Sequence, residues 1–239
     1  MSGAGAAMRR VFVDGERAEL DEPRAAELAG LAARVRELTE AVVHTDVDAA
    51  EVAAVSEEIA ALTRRLSAAR RAAPPIAAPA PGAPLFGRQL ANPVIGPLNP
   101  IAPPVEIHTR SDRTVYCDFT LTSVYEGPPG FVHGGVSAMV LDQLLGAAAH
   151  AAGAPGMTVA LDLRYRRPTP YGVPLRGEAE VTEVVGRRTH TAARIIAPDG
   201  TVTVEATAVF VLPRGLTPEV LGGSDQPPGE RARSRRHLR

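Results

Sequence analysis

The sequence predicts an α+β fold in which a curled antiparallel sheet covers one long central helix. Three observations predict it. A nearly uninterrupted apolar run over 134–152 has the length of a buried helix, two stretches with alternating apolar residues precede it, and four such stretches follow it. A succession of strands, one long helix and further strands is typical of an α+β domain, in which the helix packs on one face of the sheet.

The central helix is preceded by a Gly-Pro-Pro-Gly turn at 127–130 and by His133-Gly134-Gly135. Glycines at this point let the backbone approach a ligand closely, and the first turn of a helix has N–H groups without helical partners. The positive end of the helix dipole also favours an oxygen that becomes negative. Asp142 is the only formal charge of the helix, and a carboxylate among apolar residues is costly unless it is paired or opens onto a wet cleft. The helix therefore predicts a catalytic cleft.

The strands are predicted from alternating apolar residues and from the turns between them. Turns at 186–187 and 198–200 join the last three strands into a meander. The predicted strands are Val105–His108, Thr114–Leu121, Thr158–Arg166, Gly177–Val185, Arg188–Ile196 and Val202–Leu212.

The segment 23–73 predicts an α-helical hairpin that resembles a coiled coil. Two apolar stripes with spacings of three and four flank a polar stretch at 44–48, where Asp46 or Asp48 is a candidate cap for the second helix. The hairpin buries its apolar seam either on itself or on another subunit, and the alternative is a lid over a substrate tunnel. The stripes consist of Leu28, Leu31, Val35, Leu38 and Val42, and of Val52, Val55, Ile59, Leu62 and Leu66.

Composition divides the rest of the chain. Residues 1–22 are Gly/Ala-rich and are expected to be a flexible leader, and 74–84 are expected to form a semi-rigid Pro/Ala linker. The main domain spans 85–215, and its first twenty residues are expected to wrap around it. The predicted tail, 216–239, is disordered and basic; it is either solvated or bound to an anionic partner.

The overall composition is that of a globular protein, with 45% hydrophobic and 22% charged residues. A net charge of -1 gives no general attraction to nucleic acid. The single cysteine, Cys117, excludes an intramolecular disulfide and is more consistent with a small buried residue than with a nucleophile. No apolar run reaches the roughly 20 residues that span a bilayer, so a cytoplasmic location is expected.

An ordered set of motifs resembles a known family. His133-Gly134-Gly135 is followed nine residues after the His by Asp142, then by Thr158, and then by Tyr165-Arg166-Arg167-Pro168. This set resembles the hotdog-fold acyl-CoA thioesterases of the PaaI type over roughly residues 84–213. The resemblance implies a homodimer or a dimer of dimers, an acyl-CoA substrate, and no metal or redox cofactor.

The resemblance also implies the catalytic roles. Asp142 acts either as a general base on water or as the nucleophile, and a purely structural role is the alternative. The Gly135 N–H, with Gly134, stabilises the oxyanion, and His133 orients the loop, contacts the carbonyl or acts as an acid, if it is not structural. Thr158 from the partner subunit holds the water or the base, unless it is only a strand residue. Glu126 lies where some relatives have an Asn, so a carboxamide role is not expected.

Coenzyme A carries phosphates, which the planar guanidinium of Arg binds well. The resemblance points to Arg164 and Arg166, and to Gly186, Arg187 and Arg188; surface solvation is the alternative for each. Few aromatic residues, with no Trp, favour medium or long aliphatic chains over aryl groups.

Two other functions remain open. A hotdog dehydratase would need an Asp and a His acting together, and His150, eight residues after Asp142, does not resemble that arrangement. A non-catalytic acyl-CoA-binding or scaffold protein would bind ligand without turnover.

Overall fold

A computed structural model describes residues 17–78, 88–103 and 105–218, together with Ala6 and Arg10. The apolar patch at 11–13, the second half of the predicted linker and nearly all of the predicted tail lie outside the described residues. The division into domains therefore stays a prediction.

Two helices form the N-terminal part. Helix α1 covers Glu22–His44, and Asp21 caps it by accepting a hydrogen bond from the Arg24 N–H. Helix α2 covers Ala49–Ser67, and Asp48 caps it by accepting from the N–H groups of Ala50 and Glu51. The prediction of two helices here is confirmed. Of the two candidate caps, Asp46 and Asp48, it is Asp48 that caps the second helix.

The two helices do not share an extended packing surface in the described part of the chain. Helix α1 lies against a short 3₁₀ turn at Ser123–Tyr125, whereas α2 buries none of its side chains. Of the two expectations for the seam, burial on itself or on another subunit, the first is not met within the described residues. Three residues of the apolar stripe of α2, Val52, Leu62 and Leu66, are exposed.

A small two-stranded sheet ties the N-terminal part to the main domain. Strand β1, Glu19–Leu20, pairs in parallel with β2, Ile76–Ala77, which lies inside the predicted linker. Arg88, although buried, donates to the Ala77 carbonyl at 2.7 Å and forms an ion pair with Glu19 at 2.5 Å. These strands were not predicted, because two-residue strands have no periodicity.

The main domain is a six-stranded antiparallel sheet in the order β3-β4-β6-β7-β8-β5, with helix α3 packed on one face. Strand β3 is shorter and later than predicted, because it begins where the predicted strand ends. The other predicted strands and the helix are present, with bounds that differ by up to two residues. The bounds are β3 His108–Thr109, β4 Val115–Phe119, α3 Gly134–Ala151, β5 Met157–Tyr165, β6 Leu175–Val185, β7 Arg188–Ile196 and β8 Val202–Val211.

The core lies between α3 and the sheet. Leu141, Leu144 and Leu145 are completely buried, and each such side chain contributes about 2 kcal/mol through the hydrophobic effect. Gly177 in β6 lets the helix approach, because a Cβ there would lie 2.5 Å from Leu144 Cδ1. The predicted curled sheet around one long helix is confirmed.

No helix within the described residues is long and apolar enough to cross a membrane.

Candidate active site

The loop before α3 is held in place by side-chain and backbone hydrogen bonds. Glu126 Oε1 accepts from the Gly130 N–H at 2.8 Å and from the Tyr171 hydroxyl at 3.2 Å. The nearby charge of Glu126 raises the pKa of Tyr171, so this hydroxyl keeps its proton. The His133 N–H donates to the Tyr125 carbonyl at 2.8 Å. Glu126 thus fixes the turn that delivers His133 to the helix.

His133 is the N-cap of α3. Its Nδ1 accepts the Gly135 N–H at 3.0 Å, and a Cβ on Gly135 would lie 3.1 Å from the same atom. The Gly135 N–H is therefore already paired in this structure, and its predicted role towards an oxyanion stays a prediction. No acceptor for the Gly134 N–H is found among the described residues. Sequence patterns missed the cap because His is not among the preferred N-cap residues.

Tyr165 closes over the start of the helix. Its hydroxyl donates to the Gly134 carbonyl at 2.9 Å, and a Cβ on Gly134 would meet its ring at 3.2 Å. Glycine at 134 therefore lets the end of β5 lie directly against the helix N-terminus. Tyr165 was part of the resembling motif but was not predicted to contact the site.

Asp142 and Thr158 are in direct contact within one chain. Thr158 Oγ1 donates to Asp142 Oδ1 at 3.1 Å, and the Asp142 side chain is partly exposed. The expectation that the partner subunit supplies Thr158 to Asp142 is wrong for this chain. A hydroxyl that donates to one carboxylate oxygen leaves the second oxygen available to a water molecule.

The two halves of the predicted catalytic set lie far apart in one chain. Gly135 and Asp142 are seven residues apart in α3, which corresponds to about 10 Å at about 1.5 Å per residue. A reacting carbonyl must lie about 3 Å from both its nucleophile and its oxyanion donors. One chain therefore does not bring His133, Gly134 and Gly135 together with Asp142 and Thr158 around one carbonyl.

A cavity of about 420 Å³ opens at the helix N-terminus. Arg167 lines it and was not singled out from the sequence; its Nη1 donates to the Arg166 carbonyl at 2.8 Å. No carboxylate pairs with Arg167 among the described residues, and this distinguishes it from its neighbour Arg166. The wall also includes Phe131, Gly134, Ser137, Tyr165 and Pro168.

The arginines predicted to bind coenzyme A divide into two groups. Arg164 pairs with Asp162 at 3.7 Å and Arg166 with Glu205 at 2.8 Å, near the end of β5 that touches Gly134. Arg187 donates to the Leu212 carbonyl at 2.5 Å. Arg187 follows Gly186, whose φ of 58° forms the turn. The next residue, Arg188, lies opposite Val211 of β8, and Val211 in turn lies opposite Met157 of β5. Both arginines therefore lie at the Met157 end of β5. Since β5 has nine residues, these ends are about 26 Å apart.

The segment before β3 contacts the helix beside Asp142. Asn92 Nδ2 donates to Gln143 Oε1 at 2.9 Å, while Asn92 Oδ1 accepts from the N–H groups of Val94 and Ile95. This contact is consistent with the expectation that the segment wraps around the main domain. Neither amide had a motif that would have identified it.

A larger depression of about 590 Å³ lies on the outer face of the sheet. Its central charges neutralise one another: Glu178 accepts from Arg110 at 3.0 Å and from Arg194 at 2.8 Å. Of the predicted site residues only Arg164 lines it. Its chemistry is that of a charged surface rather than of a catalytic cleft.

Cys117 lies in the core with no exposed surface, and burial raises the pKa of its thiol to about 12. It is inert at neutral pH. The described residues contain no group of three or more His, Cys, Asp or Glu side chains that would hold a metal ion.

Comparison with known sequences identifies the family region. The sequence profile of the thioesterase superfamily matches residues 129–204. The acyl-coenzyme A thioesterase THEM4 of Xenopus laevis is 33% identical over 105 residues, which cover 44% of this chain and 47% of that protein. The mouse THEM4 is 33% identical over 87 residues, covering 36% and 37%. The chain thus spans about half the length or less of these curated relatives.

One solved structure matches most of the chain. It is a crystal structure of a thioesterase superfamily protein that is 37% identical, with a TM-score of 0.68. The match covers 77% of this chain and 94% of that one. The agreement in sequence and in fold extends over most of both chains. This chain belongs to the thioesterase superfamily and has its hotdog fold.

Proposed function

We propose that the protein is an acyl-CoA thioesterase that hydrolyses its substrate to a free acid and coenzyme A. The observation that carries the proposal is the hydrogen bond from Thr158 to Asp142, at a partly exposed point of an otherwise apolar helix. Membership of the thioesterase superfamily and similarity to proteins named acyl-coenzyme A thioesterase support it.

Asp142 activates the attacking water as a general base or attacks the thioester itself. The Thr158 hydroxyl fixes the orientation of the carboxylate through Oδ1, so that Oδ2 faces the reacting carbonyl. As a base, Asp142 takes a proton from water while the oxygen of that water forms a bond to the carbonyl carbon. The resulting tetrahedral oxyanion then expels the thiolate of coenzyme A, which takes up a proton.

The catalytic site is shared by two copies of the chain. Two α3 helices that run antiparallel across a two-fold axis would place the Gly135 end of one copy beside Asp142 of the other. The surface needed for this contact is available, because β5 is an edge strand and its residues Met157 and Val159 are 38% and 57% exposed. Unpaired edges with apolar residues are usually covered by another element.

The oxyanion is stabilised by the start of α3. The Gly134 N–H points at the carbonyl oxygen, and the Gly135 N–H joins it once the His133 ring releases this donor. The positive end of the helix dipole lies at the same place and stabilises the negative charge. His133 thus accepts the Gly135 N–H in this structure and gives it up when the substrate binds. This exchange keeps the N–H satisfied in both states.

Arginines from both copies hold coenzyme A. Arg167 is the best candidate for a phosphate contact, because it lines the cavity at Gly134 and has no carboxylate partner in the described part of the chain. The same two-fold arrangement brings Arg166 of one copy near Arg187 and Arg188 of the other. The two arginine groups, far apart in one chain, would then face one substrate.

The acyl group is proposed to be a medium or long aliphatic chain rather than an aryl group. The support is compositional, since the whole sequence has five Phe, four Tyr and no Trp. The segment that contains Asn92 and Ile95 forms a wall beside Gln143. The cytoplasmic location inferred from the sequence also stays a prediction.

The test is thiol release from a panel of acyl-CoAs, from short to long aliphatic chains plus phenylacetyl-CoA. The native chain is expected to turn over at least one of them, fastest with the longer aliphatic chains. Replacing Asp142 with Asn keeps the size and the acceptor for Thr158 but removes the base, and should lower kcat on the order of 10²- to 10⁴-fold. Tight binding of acyl-CoA without turnover by the native chain would support the non-catalytic alternative instead.

A further inference from the structure

Helix α2 presents an apolar stripe to solvent. Val52, Leu62 and Leu66 are 46%, 49% and 57% exposed, and Val55 and Ile59, which are partly buried, complete the row. The spacings along the row are three, four, three and four residues, which is the repeat of a coiled-coil seam. A seam of this kind on a capped helix is built to pack against another helix.

The part of the chain that the structure describes does not cover this seam. Helix α1 is held on the main domain, where His44 Nε2 and Ser123 Oγ share a hydrogen bond of 2.5 Å and Arg36 donates to the Asn99 carbonyl at 3.2 Å. No described element forms an extended packing surface with α2, and none of its side chains is buried. Within the described residues the seam therefore has no partner.

The charges beside the seam indicate what kind of helix would pack against it. With the apolar row at the a and d positions of a heptad, Glu51, Glu58 and Arg65 occupy the g positions, while Ser56 and Thr63 occupy the e positions. In an antiparallel pair g positions face g positions, so Glu58 of each copy meets Arg65 of the other. In a parallel pair g faces e, and neither of these charges gains a partner of opposite sign.

We propose that α2 pairs with α2 of a second copy of this chain in an antiparallel arrangement. Val55 packs against the second copy's Leu66, and Ile59 against the second copy's Leu62, on both sides of a two-fold axis. The contact is self-complementary, as a two-fold interface requires. It contributes two ion pairs, each between Glu58 and Arg65.

This pairing is independent of the proposed activity. It uses a helix that lies outside the hotdog domain, whereas the shared catalytic site uses α3 and β5. Variants of α2 therefore test the association without touching any residue placed in the catalytic or binding machinery.

Disulfide formation in the full chain tests the register. The double variant V55C/L66C is expected to form covalent dimers under mild oxidation, seen on a non-reducing gel, because the antiparallel pair places 55 beside 66. Within one chain these positions are eleven residues apart, which is about 16 Å along the helix and too far for a disulfide. Cys117 does not compete, because it is buried in the core.

The single variants V55C and L66C are the matched controls and are expected to stay monomeric on the gel. A parallel pair would instead place each position beside itself, so dimers from the single variants would overturn the proposal. Absence of covalent dimers from the double variant, with its thiols shown to be reactive, would overturn it as well.

Charge reversal tests the recognition. E58R and R65E should each lower the yield of V55C/L66C dimers severalfold at low salt, because each places like charges across the interface. The combined reversal E58R/R65E should restore the yield, since opposite charges then face each other again. If the combined variant gives as few covalent dimers as the single reversals, the charges do not meet across the pair.

Discussion

Thr158 reaches Asp142 because strand β5 contains a bulge at this point. The register of β5 with β8 shifts between Thr158 and Ala160, and Leu161 and Leu163 beyond the shift pack on the core. Strict alternation would place Val159 on the core face and Thr158 on the opposite one. The extra residue turns the Thr158 side chain towards the helix, a use of bulges that recurs beside active sites.

Removing the Thr158 hydroxyl should lower the rate of hydrolysis. Thr158→Val keeps the branched shape but removes the donor to Asp142 Oδ1, so the carboxylate loses its fixed orientation. We expect kcat to fall about 10- to 100-fold with a smaller change in KM. Thr158→Ser, which keeps the hydroxyl, is the control and should retain most of the rate. Equal losses in both variants would indicate a packing role.

The Gly135 N–H is expected to act on the oxyanion. Gly135→Pro removes this N–H at a first-turn position, where proline is compatible with a helix, and should lower kcat on the order of 10²- to 10³-fold. Gly135→Ala keeps the N–H and crowds only the His133 ring, so it should be affected less. Circular dichroism first shows that both variants are folded. A lower kcat for Gly135→Pro than for Gly135→Ala then supports the assignment, and equal values contradict it.

Acid should remove a stabilising contribution of Glu178. Hydrogen bonds from Arg194, together with those from Arg110, lower the pKa of Glu178 from its ordinary value of 4.5. Since the folded-state pKa lies below the unfolded one, this stability is fully present above about pH 4.5 and is lost as the pH falls through the folded-state pKa.

Glu178→Gln should therefore lower the free energy of unfolding at pH 7 by about 1 kcal/mol, a value that allows for solvent screening of the partly exposed arginines. The difference from the native chain should shrink as the pH falls towards 3, measured by denaturant unfolding. Glu180→Gln, on the same strand but without an ion pair in the described residues, should show little effect. A pH-independent loss in Glu178→Gln would exclude the ionic explanation.

Cys117 should be unreactive in the folded chain. Burial raises the pKa of its thiol to about 12, and the side chain has no exposed surface. A thiol reagent at pH 8 should give no colour with native protein and one thiol per chain in denaturant. Rapid labelling of the folded protein would show that β4 opens readily.

The sequence was sufficient for the fold, whereas the roles that it suggests for the site residues stay predictions. The apolar run of α3 and the alternation in β4 to β8 have strong periodicity, and His133, Gly135, Asp142 and Thr158 follow a motif with fixed spacing. Features that depend on tertiary contact were missed. The His133 cap, the bulge beside Thr158 and the Asn92 contact with Gln143 each need a geometry that no periodic pattern encodes.

The separation of α1 and α2 was missed for a related reason. Their apolar stripes indicate that each helix needs a partner but do not say which one. Helix α1 contacts the turn at Ser123–Tyr125, which lies about eighty residues away in sequence. That contact removes α1 from α2 and leaves the second stripe exposed.

The most direct test of a site shared by two chains is complementation between inactive variants. Asp142→Asn and Gly135→Pro are each expected to be nearly inactive as homodimers. When the two are unfolded together in equal amounts and refolded, half of the dimers should be mixed, and each mixed dimer has one site with both an intact Asp142 and an intact Gly135. The account predicts recovery of about a quarter of the native activity. No recovery, with mixed dimers shown to be present by mass spectrometry, would contradict it and place the whole reaction within one chain.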